Sequence, residues 1–298
     1  MSFNLSEVKK LFKKSSYSIR DDKDVEDAKR CFSNLLSSAR LPKGIDVKEL
    51  FLPIDVIKPN MAVKDVVAFY VMGSGFVLGS REAYRCFVAT LSDLFSMEVY
   101  LPEYRISQEY SFFDAIDELC RAYKFMLDRE YRKVFLIADG AGAYLSIKLL
   151  EKMRKESVKM PDKIAFISPF LDLSCSNLAV ENKKKDFVFT TESLSFFASY
   201  ILKNKSDDPS LTGHDIMIEV DLLQNKELFT NLPPIIVQVA SSELLYNDSI
   251  RMKEVVQEVG GRLELEVYKD AFHMFQAFED DSMLSYTACT SLSKRLKD

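Results

Sequence analysis

The stretch Val134-Phe135-Leu136-Ile137-Ala138-Asp139-Gly140-Ala141-Gly142-Ala143-Tyr144-Leu145-Ser146-Ile147 decides the fold. Its first part is an uninterrupted apolar run of strand length, and its last part is helix-forming. Ala138 and Gly142 flank Gly140 at a distance of two residues on either side. Small residues at those offsets let a strand turn sharply into a helix and expose the central position at the helix N-terminus. Alone the turn does not discriminate, because nucleotide-binding turns and plain close packing of strand on helix give the same pattern.

Further apolar runs lie at residues 66–72, 98–101, 164–168, 235–239 and 263–268, besides 134–138. Helical stretches with apolar residues every three or four positions occupy 81–95, 112–127, 143–155 and 248–259. Strands that are apolar throughout and alternate with helices predict an α/β architecture, a mainly parallel twisted sheet with helices on both faces. Residues 1–50 read as a charged, helical arm. Residues 175–232 break the rhythm as a long insertion between two strands, where excursions lie over the strands' carboxyl ends. Arm and insertion together are expected to form a small helical lid over the core of residues 51–298.

The 298 residues hold 40 Lys+Arg and 45 Asp+Glu, a net charge of 40 − 45 = −5, with 47% hydrophobic residues. With no basic face, nucleic acid is set aside as a partner. Cys31, Cys86, Cys120, Cys175 and Cys289 stand singly, with neither CxxC nor metal-ligand spacing, as expected of reduced thiols. No apolar segment is long enough for a secretory signal or a membrane span. A cytoplasmic location follows as the expectation. Lys9, Lys10, Lys13 and Lys14 are read as a solvated face of the arm rather than a membrane contact. Two histidines, His214 and His273, without clustered Cys or Asp give no metal site, and no phosphate-loop pattern surrounds Gly73-Ser74-Gly75, so no cofactor is expected.

The turn gains meaning from its company. In order along the chain come Met72-Gly73-Ser74-Gly75-Phe76, Pro102-Glu103-Tyr104-Arg105-Ile106-Ser107-Gln108-Glu109, the Gly140 turn, Ser168-Pro169-Phe170-Leu171-Asp172, Leu232-Pro233-Pro234 leading to Ser242-Glu243-Leu244, and Phe272-His273-Met274. From about residue 65 to 280 the chain resembles the hormone-sensitive-lipase-like branch of the α/β-hydrolase fold. The resemblance implies ester hydrolysis through an acyl-enzyme. His273 then matches the general base, Glu243 the carboxylate that orients it, and Gly73, Ser74 and Ala141 the oxyanion-hole positions. Gly140 stands where the family has its nucleophilic serine.

That departure decides the chemistry expected, since acyl transfer needs an oxygen held against the base and glycine supplies none. Met72 replaces the motif's leading histidine, Ser107-Gln108 replace Ala-Pro, and Ser74 is expected to disturb the loop wherever glycine served positive φ. Several drifted motifs favour a natural loss over a single engineered change. Asp139 matches the family's own Asp and reads as structural; Ser146 and Ser74 are weaker candidates for a substitute nucleophile. The first reading is therefore a non-hydrolytic relative that binds a small apolar or ester-like molecule or a protein partner. The alternative is a carboxylesterase for short-chain acyl esters, with Gly140 an engineered or strain-specific loss. The last strand and helix, residues 263–296, offer a surface for a homodimer.

Overall fold

In the computed structural model, residues 9–10, 22–36, 41–106, 110–202, 218–278 and 283–298 are described. Eight strands form one sheet: β1 (Ile45–Glu49), β2 (Ile54–Pro59), β3 (Val66–Val71), β4 (Glu98–Pro102), β5 (Lys133–Asp139), β6 (Lys163–Ile167), β7 (Ile235–Ala240) and β8 (Leu263–Tyr268). Their spatial order is β1-β2-β4-β3-β5-β6-β7-β8. The two pairings made by β2 are antiparallel and every other pairing is parallel. The helices whose full bounds lie among the described residues are α1 (Asp22–Leu36), α2 (Arg81–Phe95), α3 (Phe112–Leu127), α4 (Ala141–Lys155), α5 (Thr191–Leu202), α6 (Tyr246–Glu258) and α7 (Leu284–Lys297). This is the α/β-hydrolase fold that the motif order implied.

The central strands are buried on both faces, β3 and β7 at every residue, which explains their continuous apolar sequence. The helices carry their own punctuation. Ser80 caps α2 by accepting the N–H of Ala83, and Ser111 and Asp114 close a reciprocal capping box on α3. The sheet begins at Ile45, ahead of residue 51 where the core was expected to start. β1 (IDVKE) alternates charged and half-buried residues at an edge, so it has no apolar run to announce it. In β2, Asp55 is fully buried and accepts hydrogen bonds from Arg81 and Arg85 of α2, a charge a sequence reader takes for a loop.

The insertion is fastened rather than loose where it leaves the sheet. Asn182 donates through Nδ2 to the carbonyls of Ser241 and Glu243, at 2.9 Å each, and Ala179 N–H donates to Leu244 O. Buried Asp186 accepts the N–H groups of Val188, Phe189 and Leu244. After residues 203–217, which are outside the described set and include His214, buried Lys148 of α4 pairs with Glu219, whose carbonyl accepts Tyr144 Oη. The arm touches the same insertion through Lys9, whose Nζ lies 5.3 Å from the Phe187 ring centre.

Candidate active site

β5 ends at Asp139 and α4 starts at Ala141, so one residue makes the whole turn. That residue, Gly140, has φ 45° and ψ −120°, a combination an L side chain adopts only under strain. Its backbone is fixed on three sides: its N–H donates to Ile167 O, and its carbonyl accepts from Ala143 and Phe170. Gly142 is where the turn needs glycine for space, because a Cβ there would stand 2.3 Å from Val71 O. At Gly140 the opposite holds. A Cβ built there meets only the imidazole of His273, 3.5 Å from Nε2 and 3.6 Å from Cε1, ordinary contact distances.

His273 follows β8 and Glu243 follows β7, and the structure joins them: Nδ1 of His273 and Oε2 of Glu243 are 2.8 Å apart. Glu243 is 1% exposed and His273 5%. The other carboxylate oxygen of Glu243 accepts from Ser168 Oγ and from Ala240 N–H, both at 2.7 Å. Burial pulls the imidazole pKa down, but the hydrogen bond and charge of Glu243, with the charges of Asp186 and Asp139, outweigh it and leave the ring above its ordinary value. Among the described residues Nε2 has no hydrogen-bond partner, and it faces Gly140. A ring held this way accepts or delivers a proton at the elbow.

Asp139 is fully buried and takes three donors: Tyr70 Oη and Gly73 N–H on Oδ1, Tyr84 Oη on Oδ2. Burial pushes its pKa up to about 6 against those hydrogen bonds. The carboxylate is thus a brace between the elbow and the loop after β3, the structural role expected of it. Ser146 lies buried in α4 with no hydrogen-bond partner for its Oγ among the described residues, so no base activates it.

The loop after β3 corrects two expectations. Gly73 cannot act as an oxyanion donor, because its N–H is spent on Asp139. It is glycine for closeness, since a Cβ would lie 2.2 Å from Asp139 O. Ser74 does not need glycine's freedom, for the residues at positive φ are Gly75 (57°) and Phe76 (71°). Tyr104, from the second motif, holds the loop by donating to Met72 O at 2.8 Å and Gly73 O at 3.1 Å. Ala141 opens α4, so its N–H is one of the first-turn donors without an intrahelical acceptor.

The insertion covers this ground. Phe189 sets its ring edge-on to His273 with centres 4.6 Å apart, and Phe197 of α5 lies where a Cβ on Gly75 would be, 2.6 Å away. A separate cavity of about 600 Å³ opens between α1 and the loops after β3 and β4, walled by Phe76, Leu78, Tyr104 and Ile106. Gly140, Glu243 and His273 do not line it. Ser168, Asp186, Asn182 and Phe189 are the site residues that sequence reasoning missed. Only Ser168 carried a signal, its place in the Ser-Pro-Phe motif. All five cysteines are free thiols, no helix among the described residues is long and apolar enough to cross a membrane, and no three described His, Cys, Asp or Glu gather as a metal site.

Sheet order, elbow and buried acid–base pair together define an α/β-hydrolase framework. A family described as alpha/beta hydrolase fold matches residues 68–277, and the chain belongs to that family. It is similar to an esterase of Acinetobacter venetianus, 26% identical over 215 residues, covering 70% of this chain and 67% of the relative. An acetyl-hydrolase of Streptomyces hygroscopicus is 26% identical over 209 residues, covering 69% of this chain and 67% of that one. Among solved structures, an esterase from the bacterial hormone-sensitive lipase family superposes with a TM-score of 0.85 at 23% identity, over 100% of this chain and 99% of that one. The latter likeness concerns the fold.

Proposed function

We propose that this protein is an esterase-type α/β-hydrolase that no longer hydrolyses esters by acyl transfer and instead binds a small apolar, ester-like molecule beneath a lid. One observation carries the reading: the Cβ direction of Gly140 points at Nε2 of His273 from 3.5 Å, and the residue is glycine. Gly140 then occupies the nucleophile's position, Glu243 and His273 the acid and base positions, and Ser74 and Ala141 supply the remaining oxyanion donors. The lid consists of the described insertion residues 175–202 and 218–232 with the described arm residues 9–10 and 22–36, supported by Phe189 on His273 and Lys9 on Phe187. Free thiols fit a reducing, cytoplasmic compartment.

The second reading, a carboxylesterase whose Gly140 is an isolated loss, draws on the same observation, since a serine side chain has room there. Hydrolysis of p-nitrophenyl butanoate tests both. The protein as it stands is expected to run at the buffer rate. Gly140→Ser is expected to raise turnover by about 10³-fold or more, a conservative share of the roughly 10⁶-fold that removing such a serine costs elsewhere. His273→Ala in the serine background should abolish the gain. Turnover by the unaltered protein above the buffer rate would refute the proposal. An inert, folded Gly140→Ser variant would sink the second reading.

A further inference from the structure

Resting on the reading above, the geometry points to the ligand's chemical class: we propose that the elbow holds the head group of a small apolar carboxylic acid rather than an ester. One carboxylate oxygen sits on Nε2 of His273, in the volume a serine side chain would fill, and the other on the N–H groups of Ala141 and Ser74. Nothing hydrolytic is asked of the site in this role.

The argument begins with the donors. Among the described residues Nε2 is an unpartnered ring nitrogen on a side chain more than nine-tenths buried, aimed at the Gly140 turn. Beside it α4, a helix of 15 residues, presents first-turn N–H groups with no capping side chain at Gly140. Such an end favours negative charge. Carboxylic acids carry acceptors on both oxygens and one exchangeable proton, which this pair of neighbours satisfies completely. Esters offer the same carbonyl, but gain no charge-assisted bond and must find room for an alkoxy group. In a hydrolase the serine hydroxyl occupies Nε2 and leaves no place for the second oxygen; glycine removes that competitor.

Charge decides the protonation state. The groups facing the ring are Glu243 from the loop after β7, Asp186 from the insertion and Asp139 from β5, and together they favour imidazolium. They would repel a bare anion, so the bound unit is acid plus imidazole sharing one proton. Between the pKa of the free acid and that of the ring, binding needs no net proton; above the ring's pKa it takes one up. Affinity therefore falls by about tenfold per pH unit above that point. The surrounding Phe189 and Phe197 rings make an apolar tail the natural continuation.

Calorimetric titration of the unaltered protein with hexanoate, hexanamide and ethyl hexanoate tests this. Hexanoate should bind about tenfold or more tightly than the other two on the acid side of the ring's titration and lose that advantage as pH rises through it. Gly140→Ser, which returns a hydroxyl to Nε2, should weaken hexanoate by about fivefold or more, and His273→Gln should remove both the preference and its pH dependence. Equal or tighter binding of ester or amide, pH-independent hexanoate binding, or no heat from hexanoate at millimolar concentration would each overturn the inference. Should His273→Gln fail to fold, the pH series and Gly140→Ser still decide. Release of ethanol from ethyl hexanoate by the unaltered protein would instead break the underlying reading, and is measured first.

Discussion

The acid–base half of the site and the elbow half are built to different degrees. Glu243 and His273 are buried and bonded to each other, and the second oxygen of Glu243 is filled by Ser168 and Ala240. Across the gap, Gly140 has the backbone of a sharp strand-to-helix turn and carries no side chain. The difference lies in a single side chain, while the packing around it, Gly142 against Val71 and Gly73 against Asp139, still demands glycine for space. On the proposed reading, loss of a reaction and loss of a scaffold are separable. A nucleophile in this turn would, on that reading, be held under strain of about 1–3 kcal/mol that glycine does not carry.

The comparison breaks most sharply on Glu243. In the Gly140→Ser background, Glu243→Gln should reduce the restored turnover by about 10³–10⁴-fold, since the ring is then held in the wrong tautomer. Esterase assays check this. If turnover is unchanged, the polar pair is ornamental and the two halves are equally decayed.

Next in size is the contrast between neighbouring glycines. Gly142→Ala should destabilise by about 3 kcal/mol or more, because its Cβ would meet the Val71 carbonyl at 2.3 Å. Gly140→Ala should lose only the backbone strain, about 1–3 kcal/mol. Denaturant unfolding of both variants measures the gap, and equal losses would contradict the picture of an elbow left open at its tip.

The smallest effects concern shape in pH. His273 sits above its ordinary pKa, so its contribution is present in full below the unfolded value and is lost as pH rises through the folded one. Glu243→Gln should lower the ring's pKa, read by NMR titration. Asp139, raised to about 6 by burial, contributes in the same sense: stability is present below the ordinary carboxylate range and falls as pH climbs toward about 6. Asp139→Asn should flatten the Tm profile between about pH 4 and 6 and leave its shape above that unchanged.

Most of the sheet was legible because strands buried on both faces cannot hide their composition; β3, β4, β5, β6 and β7 fall within a residue of the apolar runs, and the edge strand β8 coincides with its run although it is only partly buried. β1 escaped because it is an edge strand that carries charge, and β2, one strand in, because its buried Asp55 is tolerable only through arginines that arrive from α2. Gly140, Glu243 and His273 were readable as ordered motifs, and the structure brings all three together. Which N–H groups of the β3 loop remain available was not readable, since that depends on Asp139 reaching Gly73 across the sheet. Asp186 and Asn182 gave no signal at all. Their role exists only once the insertion folds back on the loop bearing Glu243.

The central claim, that one side chain separates this molecule from a working nucleophile, is tested most directly by a fluorophosphonate probe followed by intact-mass and peptide mass spectrometry. Gly140→Ser should take up one phosphonyl group at residue 140, His273→Ala in that background should prevent it, and the unaltered protein should remain unlabelled. A folded Gly140→Ser variant that stays unlabelled, or labelling of the unaltered protein at any other residue, would contradict the account.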